Sequence, residues 1–407
     1  MRYILLIALM LMFSLLMGNS IFSFDGMPQE YSGNDIYGLG MGETGSGDLF
    51  RINPNFTNPS VAITTDKVLF STGVSLGWMW YKDTDDNKYR DDGIYFPYFS
   101  IAVPLKNHRI GFNFNSMYSG NLENKKEINW ISTFGDTLDY TETNKLSSNV
   151  YRADALYAYK NPYVNFGIAL NYYIGHRIRY WKLDFDEYTM VDAKYEIEKT
   201  FKNPGVTVGL SKKLKNLSLS ATYSSYTKLE GDVIYKYGHA PYADTLNLSD
   251  DFLFEIPTRI SGGLTWKFID KYKASFDVYY AMWENTESYD NNSLKIGFGL
   301  AYDPLSGYGG WLERIPVRIG GYYRELPFEM NQEKIIEKAL TFGLSIPLKS
   351  PNKKIDLAVK YLTRGDIDKH GLSDESLMFS FGITGFDIFQ KRPKKIEPRD
   401  IPKADRR

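Results

Sequence analysis

The 407-residue chain contains no cysteine. That removes disulfides, thiolate nucleophiles and thiolate-held zinc or iron–sulfur centres from consideration. Histidine is almost as scarce, and the four present (His108, His176, His239 and His370) lie too far apart to form a local imidazole metal site. Neither charge sign dominates, with 48 lysines and arginines against 49 aspartates and glutamates, so bulk charge gives no pointer to nucleic acid. Beyond the first 23 residues, no apolar run reaches the roughly 20 residues that a membrane helix needs. What the chain has in excess is aromatic, with 32 tyrosines, 25 phenylalanines and 7 tryptophans.

Residues 1–23, MRYILLIALMLMFSLLMGNSIFS, combine an early Arg2, an apolar core from Tyr3 to Met17, and small residues at Gly18, Ser20 and Ser23. This is the pattern of a secretory signal peptide, here cleaved around residues 20 to 23. A membrane anchor fits less well, because the apolar run is short and no stop-transfer flank follows. The product leaves the cytoplasm, and without a cysteine after the apolar core it carries no lipid anchor.

The remaining chain alternates. In YVNFGIALNYYIG, Val164, Phe166, Ile168, Leu170, Tyr172 and Ile174 share one face of an extended strand, while Asn165, Gly167, Ala169 and Asn171 share the other. The same pattern recurs about fourteen times, centred near residues 74, 98, 114, 152, 170, 202, 222, 260, 278, 298, 321, 341, 359 and 380. Tight basic turns such as LKNHR, YKNPY and KLKNL alternate with acidic, Asn-rich segments, the longest being NLENKKEINWISTFGDTLDYTETNKLSS. An even strand count, with short turns at one rim and longer loops at the other, describes a transmembrane antiparallel β-barrel. In hydrocarbon every unpaired backbone group is costly, so only a sheet closed on itself can span. Aromatic girdles at the two interfaces absorb the tyrosine and tryptophan excess. A soluble β-sandwich shows the same alternation, but accounts for neither the alternating loop lengths nor the aromatics massed at strand ends.

Several motifs dissolve on inspection. Gly40 to Gly45 reads G-x-G-x-x-G, yet Pro54 and Pro59 follow where a dinucleotide fold needs a helix. Asp83, Asp85 and Asn87 have calcium-loop spacing, but Lys88 and Ile94 stand where glycine and glutamate belong. Arg364-Gly365-Asp366 is a polar loop by composition. No catalytic constellation can be assembled from local spacing, so no enzyme, cofactor or metal is expected. The tail, residues 390–407, carries eight Lys or Arg against three acids, with three prolines, and reads as a disordered extension.

The segment IYGLGMGETGSGDLFRINPNFTNPSVAI resembles the N-terminal region of the FadL-like outer-membrane transporters of long-chain fatty acids and aromatic hydrocarbons, a group with related secretion-associated barrels. A Gly-Met-Gly run is followed by Asn58-Pro59-Ser60 at the family's distance, with serine in place of the usual alanine. EIPTRISGGLTWKF, residues 255–268, and the closing hairpin, residues 356–391, are similar to the family's as well. The resemblance implies residues 24–64 as a plug inside a barrel formed by residues 65–389. A hydrophobic ligand would be captured outside and released sideways near the third strand. Phe50, Phe56, Asn58 and Pro59 are the candidate plug and ligand residues, with Asn58 fixing a turn through side-chain to backbone bonds. The loops near residues 184–190 and 238–250 are short for a fatty-acid capture surface, which leaves the ligand open. The expected role is passive uptake of hydrophobic small molecules across the outer membrane of a diderm bacterium, in contact with its lipid and lipopolysaccharide. The alternative is a structural or secretion-associated barrel that binds protein partners through its loops.

Overall fold

In the computed structural model, residues 20–23, 29–31, 35–131, 137–186, 191–239, 242–304, 312–348 and 353–385 are described. Fourteen antiparallel strands make one closed sheet. They are β1 Leu69–Asp83, β2 Lys88–Tyr95 with Tyr98–Leu105, β3 His108–Ile131, β4 Thr137–Tyr159, β5 Asn165–Phe185 and β6 Ala193–Lys213. Next come β7 Leu217–Ser224 with Thr227–His239, β8 Tyr242–Ile256 with Arg259–Ile269, β9 Tyr272–Ala281 and β10 Ser293–Tyr302. The last four are β11 Val317–Met330, β12 Glu333–Pro347, β13 Lys354–Asp366 and β14 Leu372–Thr384. The ladder closes where β14 meets β1, with Phe379 opposite Leu76. All fourteen expected strand centres fall within these strands.

Burial is inverted relative to a soluble protein. Leu170 is 62 % exposed and Leu340 71 %, while Asn171 and Thr341 beside them are buried. On β1 the outward set is Phe70, Val74, Leu76, Trp78 and Trp80. A greasy exterior around a polar interior is what lipid outside and a lumen inside demand.

The wall is uneven. Strands β3 to β6 run 24, 23, 21 and 21 residues, against 10 each for β9 and β10. The stretch from Asn121 to Ser148, expected to be a loop, is paired strand up to Ile131 opposite Thr137. Above the membrane both faces of a strand meet water, so the apolar alternation vanishes although the ladder continues. Polar cross-strand pairs such as Lys145 with Glu123, 3.0 Å apart, line it instead. At the calcium-spaced turn, Asp83 accepts bonds from the backbone of Asp85 and Asn87 and from the Asn87 side chain. The Asn87 side-chain bond, with those of the backbone, holds the Asp83 carboxyl below its ordinary range. Arg364 of the Arg-Gly-Asp tripeptide is buried against Glu337.

The opposite rim has tight turns, two residues long between β2 and β3 and between β8 and β9. The expected contrast between rims is incomplete, since β11 and β12 are joined just as tightly at the rim of the long strands. Short turns mark the periplasmic rim of an outer-membrane barrel.

Candidate functional site

The site begins with the segment that enters the lumen. Asp35 caps a single helical turn, Ile36–Leu39, accepting from Gly38 N at 3.2 Å. Arg51 folds back to ion-pair with the same Asp35 at 2.7 Å. Between them, Gly40 to Gly45 lies directly against the wall. Gly42 adopts φ +73°, and its N–H donates to Thr341 Oγ1 at 2.7 Å. A Cβ on the facing Gly299 of β10 would sit 2.3 Å from the Met41 carbonyl oxygen. These glycines allow backbone to touch backbone, and positive φ is free to glycine.

Charge holds the segment as well. Glu43 pairs with Lys295 and, at 2.9 Å, with Lys360. Asp48 pairs with Lys273 at 2.6 Å, and Lys273 also reaches Asp303 at 2.8 Å. These side chains are buried, except for the half-buried Asp303, so each charge is balanced by a partner rather than by water.

The four residues singled out in the sequence are all in this segment but are not gathered around one space. Phe56 is 1 % exposed, packed with Val61, Leu69, Ala102 and Leu156. Asn58 Oδ1 accepts from Ser60 N at 3.1 Å and Ser60 Oγ at 2.7 Å, and caps the 3-10 turn Pro59–Thr64. Pro59 and Ser60 lie against Gly167 of β5. Phe50 stands apart at the periplasmic mouth, with Lys213 Nζ 4.7 Å above its ring.

A second feature has no counterpart in that reading. Inward-facing Met117 and Tyr118 of β3, Val150, Tyr173, Phe201, Leu229, Phe254 and Ile256 form a buried apolar cluster across the outer half of the lumen. Trp283, expected in an interfacial girdle, is 0 % exposed and belongs to this cluster. Tyr118 packs edge-on to both Phe254 and Trp283, with ring centroids 6.1 Å apart in each pair. The Tyr118 hydroxyl and the Trp283 indole N–H make no hydrogen bond among the described residues.

The wall beside this cluster is split. Strand β2 breaks at Phe96-Pro97. Its lower half, Tyr98–Leu105, pairs with β3, but its upper half, Lys88–Tyr95, pairs only with β1. Above Asn115, the β2-facing edge of β3 takes a different partner, the inner segment itself. Gln29 lies opposite Ser119 and Glu30 opposite Tyr118, and Tyr31 N donates to Met117 O at 2.8 Å. Glu30 then spans the lumen to Tyr279 Oη at 2.7 Å and Arg324 Nη2 at 2.5 Å. Since Ile94 pairs with Leu76 of the lipid-facing band, this seam begins at membrane depth. Pro97, inside an expected strand, was the one sequence signal for it.

A family model described as BamG matches residues 2–393. The chain belongs to the BamG family. This BamG-family barrel is also similar in fold to solved outer-membrane structures. A FadL homologue of Pseudomonas aeruginosa superposes with a TM-score of 0.63 at 13 % identity, covering 89 % of this chain and 99 % of that one. The toluene transporter TodX of Pseudomonas putida gives 0.59 at 16 %, covering 88 % and 98 %. TbuX, the toluene transporter of Ralstonia pickettii, gives 0.59 at 15 %, covering 87 % and 98 %. Among curated sequences, none matches the chain. The fold resemblance read from the sequence is thus present in three dimensions, and the BamG-family chain is an outer-membrane barrel.

Proposed function

We propose that this barrel is a passive outer-membrane channel for hydrophobic small molecules of the aromatic-hydrocarbon or fatty-acid kind, with residues 24–64 as its plug. The observation that carries the reading is the buried aromatic cluster lying directly against a membrane-depth seam in the wall. Tyr118 belongs to both. An apolar ligand held among Tyr118, Phe254 and Trp283 would leave sideways through the seam, because the lumen below is filled by the ion-paired plug. The unbonded Tyr118 hydroxyl and Trp283 N–H offer orientation to a ligand bearing one polar atom. The toluene transporters of similar fold support the same substrate class. The lumen's buried charges are paired either with the plug, as Lys295 and Lys360 are with Glu43, or within the wall, as Arg364 is with Glu337, which fits a channel rather than an enzyme.

The test is direct. Cells lacking other hydrophobic channels, with this protein in their outer membrane, are given radiolabelled toluene or oleate. A brominated analogue of the same compound is added to purified protein. Faster uptake and quenching of Trp283 fluorescence are expected, the latter abolished by Trp283→Phe. Absence of both sinks the reading.

A further inference from the structure

The periplasmic mouth of the barrel is a recess of about 950 Å³ whose lining holds eight lysines and arginines against three aspartates. Its charges fall into two sets. Those at the floor are neutralised internally: Lys273 by Asp48 and Asp303, Arg51 by Asp35, and Lys354 by Asp356 at 3.3 Å. Those at the rim are compensated only in part: Lys267 pairs with Asp270 at 3.6 Å. Lys160 and Lys271, on turns, and Lys212 and Lys213, at the end of β6, have no acidic partner within 4.0 Å among the described residues. A formal charge of −1 for the whole chain therefore conceals a strong excess of positive charge at one end.

The chain's own C-terminal tail is an unsuitable occupant. It departs beside Thr384, which lines the recess, and residues 390–407 carry eight cationic against three acidic side chains. Its composition makes it a poor electrostatic complement to the mouth. Membrane lipid meets the outer circumference of a barrel; Lys212, opposite the exposed Leu219, belongs to that outer face, whereas Lys160, Lys213 and Lys271 border a concavity inside the ring of strands. Phe50, Tyr163 and Tyr272 supply apolar ring surface among the cations. The recess thus offers aromatic contact area together with a ring of uncompensated positive charge, the complement of an extended acidic chain with apolar side chains.

We infer that the periplasmic mouth is a docking site for an acidic segment of a periplasmic partner protein. This is independent of the transport reading, because the recess lies on the opposite side of the plug from the aromatic cluster and the seam. Docking at Lys160, Lys213 and Lys271 is electrostatic in its approach, so it weakens steeply as salt rises.

The experiment uses the full-length protein in a neutral detergent and a fluorescein-labelled peptide of alternating glutamate and phenylalanine, with a glutamine-for-glutamate peptide as control. Anisotropy is expected to report binding of the acidic peptide alone. The threefold variant Lys160→Glu, Lys213→Glu, Lys271→Glu is expected to weaken it by at least about tenfold, as reversal of rim charges does at other electrostatic interfaces. Lys160 and Lys271 sit on turns and Lys213 at the last position of β6, and an unchanged heat-modifiable gel shift verifies that the variant barrel is intact. No binding at low salt, or equal binding by wild type and variant, overturns the inference. So does a loss of affinity for phosphatidylglycerol vesicles without any binding of the peptide, which would assign the lysines to lipid headgroups.

Discussion

Tyr31 of the inner segment and Tyr95 of β2 pack with ring centroids 4.3 Å apart, and this contact bridges the place where β2 and β3 part. Tyr31 is tied by its backbone to β3 and by its ring to β2, so residues 29–31 stand in for the missing ladder. A ligand leaving through the seam must displace them. Gln29 and Ser119 are opposed in register, and the ~5.5 Å usual between such Cα atoms lies within disulfide range. Because the chain has no other cysteine, Gln29→Cys with Ser119→Cys gives a unique lock. Uptake should stop when the pair is oxidised and return on reduction. Unchanged uptake by fully cross-linked protein, verified by mass, would falsify the gating role.

The Glu43 carboxylate serves two buried lysines, Lys295 and Lys360. Glu43→Gln leaves both cations without their counter-charge, a loss of the order of about 3–5 kcal/mol for a buried pair. The barrel ladder is untouched, so the effect should appear as undocking of the plug. Limited proteolysis should cleave within residues 35–65 far faster than in wild type, while the gel shift of the barrel stays the same. Equal protease resistance would show that the packing of Ile36, Met41 and Phe56 suffices without the ion pairs.

The barrel was legible in the sequence wherever one face met lipid, because hydrocarbon enforces strict alternation: Leu340, Phe342, Leu344 and Ile346 marked β12 unaided. Where both faces meet water, as from Asn121 to Ile131, the ladder persists without that signature and was read as loop. The lumen was harder still. Tyr172 and Tyr173 are adjacent and equally aromatic, yet one faces lipid and the other the buried cluster. Phe201, Leu229 and Phe254 carry no local mark that their neighbours across the lumen are aromatic. Asn58 was identifiable because its bonds are to residues two positions away. The seam depends on pairing between distant residues, and only Pro97 hinted at it.

Close approach gives a paired prediction. At Gly299 an added Cβ would meet the Met41 backbone, whereas at Gly77 nothing lies within 4 Å. Gly299→Val should lift residues 40–43 off β10 and raise the single-channel conductance of the barrel in planar bilayers, as the plug no longer seats. Gly77→Ala should leave conductance unchanged. If both variants conduct like wild type, direct contact between plug and wall at this point is not what seals the lumen.

The N-terminal boundary can be tested by mass alone. Phe22 is 3 % exposed in a cluster with Leu326 and Ile335, and Ser23 Oγ donates to Ser20 O at 2.7 Å. Ser20 Oγ also donates to the buried Asp374 carboxylate. If residues 20–23 fill the lumen of the mature protein in this way, signal cleavage is expected before Ser20 rather than at a later position within residues 20 to 23. Processing after Ile21 or Phe22 would leave Asp374 without its hydroxyl partner and, for the latter, remove the ring that packs against Phe328 at 6.4 Å. Intact mass of protein purified from outer membranes should correspond to a chain that retains Ser20, and Phe22→Ala should lower the heat-modification temperature. A mature chain beginning at Phe24 would exclude residues 20–23 from the lumen and leave the outer end of the plug open.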